Sequence, residues 1–283
     1  MHKSRILAAA AIVAVSVTGG LTAASRNDHA SAAVVWNEEF NGPAGTGVDS
    51  ARWNFDTGGS GNGNNELQYY TNGTSNVAQD GQGNLVISLR QENPNNFQCW
   101  YGRCTYTSGR IQTAGKFTQL YGHIEARAKV PGGNGLWPAF WMLGDNLGSV
   151  GWPASGEIDI MEFVGRTPNT VYGTLHGPGY SGGNSVGGTR NLGAPVSNAF
   201  HVFAIDWSPD LVVWTIDGSE YFRATPASVR GNPWVYDHPF FIILNLAIGG
   251  PFPGNPDAST PLPAQLLIDY VHVSTSDTAG PVG

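Results

Sequence analysis

The chain has 283 residues and a formal net charge of −7; only 12% of it is charged, while it holds 39 Gly and 9 Trp. Sparse charge with many aromatics excludes a disordered chain, and the negative sign disfavours nucleic-acid or polyphosphate partners, which need basic patches. A neutral polymer is compatible with it.

In chain order, Lys3 and Arg5 precede an apolar run from Ile6 to Val17, and Ala30-Ser31-Ala32 fits a small-residue cleavage site. That run is about a dozen residues, against the roughly 20 that a spanning helix needs. A secretory leader over 1–32 is therefore expected rather than an anchor, with a mature chain secreted and free of the membrane. Losing Lys3, Arg5, Arg26 and Asp28 with it takes the net charge from −7 to −9. Residues 33–283 suit one all-β domain, with no Pro/Ser/Thr-rich linker to divide them.

Glycine and turn residues at short intervals predict many short strands. Gly83 to Leu89 reads as a strand after a glycine turn. Cys99 and Cys104 are the only cysteines, and in an exported protein their default is one disulfide. A loop that short gains only about 2 kcal/mol in the chain-entropy model. A metal site there would lack a second cysteine pair or a nearby histidine at ligand spacing. His123 to Val130 alternates apolar and charged residues as a half-buried strand does. In Leu136 to Leu143, parity puts Trp137, Ala139, Trp141 and Leu143 on one face and Phe140 and Met142 on the other. Trp137 and Trp141 thus line a cleft, while Trp53, Trp207 and Trp214 read as core. Pyranose rings present apolar faces that such aromatics match.

The segment Trp152 to Phe163 is the most informative. Glu157 and Asp159 share one strand face while Ile158 and Ile160 point inward. Regular alternation would bury Glu162 with the isoleucines, at a cost of several kcal/mol for an unpaired carboxylate. A one-residue bulge near Ile160-Met161 restores Glu162 to the acidic face, and bulges are frequent beside active sites. The two glutamate Cα atoms then lie about 13 Å apart. Side chains leaning inward shorten that to the ~5–5.5 Å carboxyl separation of retaining glycosidases. Glu157 is read as nucleophile, Glu162 as acid/base, and Asp159 as the group that hydrogen-bonds and orients Glu157. The bland alternative is a solvated acidic face. Trp152, in the loop before this strand, floors the subsite beside Glu157.

His176 follows the acidic strand, either touching sugar or Glu162 or serving as a structural histidine. Gly177 to Gly188 is glycine-rich but lacks the Gly-Lys-Ser/Thr of a phosphate loop, so a flexible cleft rim is expected. His123, His201, His238 and His272 are scattered, without H-E-x-x-H. Leu211 to Ile216, Asp217-Gly218 and Glu220 to Arg223 read as a hairpin on a tight turn. Phe240 to Ile248 is a strand covered on both faces. Together these predict an all-β sandwich or jelly roll with curved sheets.

Gly156-Glu157-Ile158-Asp159-Ile160-Met161-Glu162 resembles the E-x-D-x-x-E signature of glycoside hydrolase family 16, in its bulged, laminarinase-like branch. Asn64 to Thr71, Leu136 to Leu143 and Ile243 to Gly250 resemble that branch too, in family order across the mature chain. The resemblance implies a β-jelly roll of two antiparallel sheets with the cleft on the concave face. It also implies an endo-1,3-β-glucanase with Glu157, Asp159 and Glu162 as its catalytic carboxylates. Arg110 and Asn65 resemble residues near the glycone subsites. By resemblance alone, a structural calcium ion is expected at Glu39, Gly83 and Asp269, with no cofactor for catalysis. The Cys99–Cys104 insert departs from the family pattern at one end of the cleft. The substrate expected is β-glucan, acted on by a monomer. Alternatives left open are a non-catalytic glucan-binding module, the same chemistry on mixed-linkage glucan or a marine galactan, and transglycosylation.

Overall fold

A computed structural model describes residues 33–275; the expected leader lies outside them. Two large antiparallel sheets face one another. One has seven strands in the order Val186–Asn191, Thr170–His176, Glu157–Phe163, Leu136–Gly144, Phe240–Ile248, Arg110–Gln112 and Asn54–Phe55. The other runs Ser219–Ala224, Leu211–Ile216, His201–Ser208, Gly122–Lys129, Ala264–Ser274, Leu85–Leu89 and Val77–Gln79, with Val34–Glu38 also paired to Ala264–Ser274. The acidic segment thus lies inside its sheet, braced on both sides.

The strands follow from the sequence. Phe240–Ile248 is buried at all nine positions, as an unbroken apolar run between two layers requires. Gly122–Lys129 alternates buried and half-buried residues throughout. Asp217 and Gly218 take φ of 49° and 73°, the left-handed pair that a two-residue hairpin needs between Leu211–Ile216 and Ser219–Ala224. The inward faces of both sheets close one core around Ile158, Ile160, Phe163, Phe203 and Trp207. Trp53, Trp207 and Trp214 are buried in it as expected. The glycine-rich stretch expected as a cleft rim divides: Gly182–Asn184 forms a 3-10 turn, and from Val186 the chain is an edge strand. Gly188 stands so close to Phe222 that a Cβ would lie 2.5 Å from the ring, so glycine here serves close packing rather than freedom.

The outward face of the second sheet carries a cross-strand ionic row. His123 Nδ1 lies 2.8 Å from Asp206 Oδ1 and its Nε2 3.2 Å from Glu125 Oε2. The bond to Asp206, then that to Glu125, raises the His123 pKa to about 9. A folded-state pKa above the unfolded value adds stability that is complete below pH ~6.5 and disappears as pH rises through about 9. The melting-temperature gap between wild type and His123→Gln should therefore be widest near pH 6 and close toward pH 10. A gap independent of pH would show that the imidazolium contributes nothing.

Candidate active site

The acidic strand is bulged where its sequence demands. Pairing with Leu136–Gly144 runs Leu143 to Glu157, Met142 to Ile158 and Trp141 to Asp159, then skips to Phe140 with Met161 and Ala139 with Glu162. On the other side Asp159 faces Thr174 and Glu162 faces Tyr172, three steps against two. Ile160 is the extra residue. It and Met161 both enter the core, each 1% exposed, and Glu162 turns back to the side of Glu157 and Asp159. The core prop beneath is Trp214 of the opposite sheet, whose indole N–H donates to the Asp159 carbonyl oxygen at 2.8 Å. Gly173 makes room for it: a Cβ there would stand 2.5 Å from Trp214 Cδ1 and 2.8 Å from Nε1.

Each carboxylate has its own setting. Glu157 Oε2 accepts from Trp152 Nε1 at 2.9 Å, and His176 Nε2 lies 3.7 Å from Oε1. Asp159 Oδ2 is 3.1 Å from His176 Nε2. The backbone N–H of Gly182 donates to His176 Nδ1 at 3.1 Å, so the ring's proton sits on Nε2, on the side of the carboxylates but outside hydrogen-bond geometry, and Asp159 Oδ2 is left without a hydrogen-bond partner among the described residues. Glu162 Oε1 accepts from Trp137 Nε1 at 3.1 Å and its Oε2 from Thr174 Oγ1 at 3.3 Å. Burial pushes all three carboxyl groups up to about 8, and the charge of Asp159 adds to the rise at both glutamates. Crowded, half-dry carboxylates of this kind retain a proton near neutral pH.

Strand parity placed the aromatics correctly. Trp137 and Trp141 flank the acidic row, and Phe140 and Met142 are core. Trp141 donates to Asn245 Oδ1 at 2.7 Å and carries the Arg110 guanidinium 4.9 Å above its ring. Arg110 Nε is 2.8 Å from Asp56 Oδ2. Trp152 is 49% exposed beside His176. Asn65, by contrast, is an exposed loop residue at φ 55°, with no hydrogen bond to these groups among the described residues. Sequence reading missed Phe252, which packs edge-on against both Trp137 and Tyr172 at 5.3 Å, and it missed Thr174, Tyr172 and Asn245. The signal for Tyr172, Thr174 and His176 was period-two parity on their strand; Phe252 had none.

The expected calcium positions lie with the other sheet. Asp269, bulged out of Ala264–Ser274, receives the Arg127 guanidinium, and Glu39 Oε1 stands 2.6 Å from His272 Nε2. Gly83 occupies a turn at φ 89°. Both carboxylates already have basic partners, so a hard cation would rely on main-chain oxygens and a shared Asp269. The Cys99–Cys104 disulfide is present.

Two glutamates flanking an aspartate, on an open sheet face bordered by tryptophans, define a glycoside hydrolase of the two-carboxylate kind. The chain belongs to glycosyl hydrolases family 16, whose model matches residues 64–272. It is 42% identical over 256 residues to a β-glucanase of Rhodothermus marinus, covering 85% of this chain and 84% of that protein. It is 39% identical over 265 residues to glucan endo-1,3-β-glucosidase A1 of Niallia circulans, covering 85% of this chain but 37% of that longer protein. The structure of the laminarinase catalytic domain of Thermotoga petrophila superposes with a TM-score of 0.80 at 46% identity, over 87% of this chain and 99% of that one.

Trp214→Phe keeps most of the buried volume and withdraws the donor at the bulge. Removing the indole donor to the Asp159 carbonyl should cost about 1 kcal/mol, read as a lower urea midpoint. An unchanged midpoint would separate the bulge from this bond.

Proposed function

We propose that this protein is an exported endo-1,3-β-glucanase that cleaves with retention, using Glu157 as nucleophile, Glu162 as acid/base and Asp159 as the residue that orients Glu157. The observation that carries the reading is the Ile160 bulge, which returns Glu162 to the side of the sheet shared by Glu157 and Asp159. At Glu157, which is only half-buried, the nearby His176 ring and the N–H donated by Trp152 oppose the rise and favour the ionised form that a nucleophile needs. Glu162 is the more enclosed of the two glutamates, and burial, its largest influence, favours the protonated form that a general acid needs.

In the first step a Glu157 oxygen attacks the anomeric carbon while Glu162 gives its proton to the departing glycosidic oxygen. A covalent glycosyl ester on Glu157 results. In the second, the now ionised Glu162 takes a proton from water, which attacks the same carbon and frees Glu157. Two inversions give net retention. Trp137, Trp141 and Trp152 supply ring faces for the sugars, with Arg110, Asn65 and His176 as polar contacts. No cofactor takes part. The β-1,3 linkage draws support from the activities named for the relatives, and export from the leader-like residues 1–32. The enzyme acts as a monomer.

The test is NMR of the anomeric configuration during laminarin digestion. The β anomer should appear first, and Glu157→Ala should lower turnover by several orders of magnitude. Azide should partly restore cleavage of an activated substrate by that variant, with the inverted anomer as product. Initial release of the α anomer by wild type, or near-normal turnover by Glu157→Ala, would overturn the assignment.

The same reading has main-chain oxygens of Glu39 and Gly83, together with Asp269, hold a stabilising calcium ion away from the cleft. A chelator should lower the melting temperature and leave the rate at low temperature unchanged. An unaltered melting curve would dismiss the ion.

A further inference from the structure

The Cys99–Cys104 disulfide loop holds a tryptophan out in solvent. Trp100 is 51% exposed, yet it is firmly anchored. Its backbone N–H donates to the Gly59 carbonyl and its indole N–H to the Glu66 carbonyl, both at 2.8 Å. Tyr101, edge-on to it at 5.4 Å, donates its hydroxyl proton to the Leu67 carbonyl at 2.6 Å. Gly61 lies so close to the indole that a Cβ there would be 2.7 Å from Trp100 Cδ1. The Cys99–Cys104 bond closes the loop. The only polar atom of the ring is satisfied inward, and half of the residue's surface is left to water.

Two lines of contact tie this platform to the cleft. Trp141 donates to Asn245, Asn245 Nδ2 donates to the Tyr70 hydroxyl at 3.1 Å, and that hydroxyl donates to the Glu66 carboxylate at 3.3 Å. Glu66 is the residue whose carbonyl holds Trp100. Separately, Gly250 packs so tightly against the Asn64 carbonyl that a Cβ would be 2.3 Å from it, and two residues on is Phe252, which packs on Trp137. A buried hydrogen-bonded chain and a close backbone contact thus join the segment that anchors Trp100 to the strand that carries Trp141 and the loop that carries Phe252.

We propose that Trp100 is a distal sugar subsite, stacking a glucosyl ring of the chain that passes over Trp141 and extending the cleft beyond the catalytic carboxylates. This rests on the glucanase reading. An anchored ring loses little freedom when a pyranose covers it, which is what a stacking platform requires.

The kinetic test compares kcat/KM on laminarin with kcat/KM on the shortest laminari-oligosaccharide cleaved. Trp100→Ala should lower the ratio of long to short about tenfold, through KM, with Trp100→Phe restoring most of it. An unchanged ratio would overturn the proposal. A footprint that needs no substitution at Trp100 uses Glu157→Gln with N-bromosuccinimide and peptide mapping. A long laminari-oligosaccharide should protect both Trp100 and Trp152, a short one Trp152 alone. Protection of Trp152 without Trp100 by the long ligand rejects the distal subsite and leaves the glucanase reading standing. If wild type releases no sugar from laminarin and neither tryptophan is protected, the glucanase reading falls, and the subsite with it.

Discussion

The structure turns on one hydrogen bond beneath one irregular residue. The acidic strand must put three carboxylates on one side and Ile158, Ile160, Met161 and Phe163 on the other, which strict alternation cannot do. An extra residue solves the parity, but it interrupts the ladder between Asp159 and Glu162. The indole of Trp214 answers that interruption from the opposite sheet, reaching the Asp159 carbonyl through the space that Gly173 leaves open. Core packing and chemistry are therefore one problem: the same indole fills the interior and holds the backbone that aims the carboxylates.

Above that bond the site is arranged by unequal surroundings. All three carboxyl groups are pushed up by burial, yet they are not equivalent. Glu157 sits nearest water and nearest Trp152, Asp159 meets His176, and Glu162 is enclosed by Trp137 and Thr174. The backbone N–H of Gly182 fixes the face that His176 turns to the carboxylates, so the glycine-rich segment contributes to the electrostatics of the site.

Much of this was readable along the chain because it obeys period-two geometry. Parity alone sorts Trp137 and Trp141 from Phe140 and Met142, and the expense of burying Glu162 calls for the bulge from the sequence itself. Phe240–Ile248 and the Asp217-Gly218 turn were legible for the same local reasons. What local rules could not supply was anything built across the sandwich. Trp214 is visible in sequence as a core residue, but its donation to a carbonyl 55 residues earlier depends on how two sheets stack. Phe252 lies in a Pro-flanked loop with no period, and it finds Trp137 and Tyr172 only because the chain turns back after Phe240–Ile248. The basic partners of Asp269 and Glu39 belong to the same class.

The absent side chain at Gly173 has a consequence for redesign. The catalytic row is a property of two layers, so grafting Glu157 to Glu162 onto another sandwich would transfer the carboxylates without the support that aims them. A faithful transplant would have to include an indole on the far sheet and a vacancy above it. Conversely, the strand edges and loops that touch neither are where new specificity can be built at least risk to the chemistry.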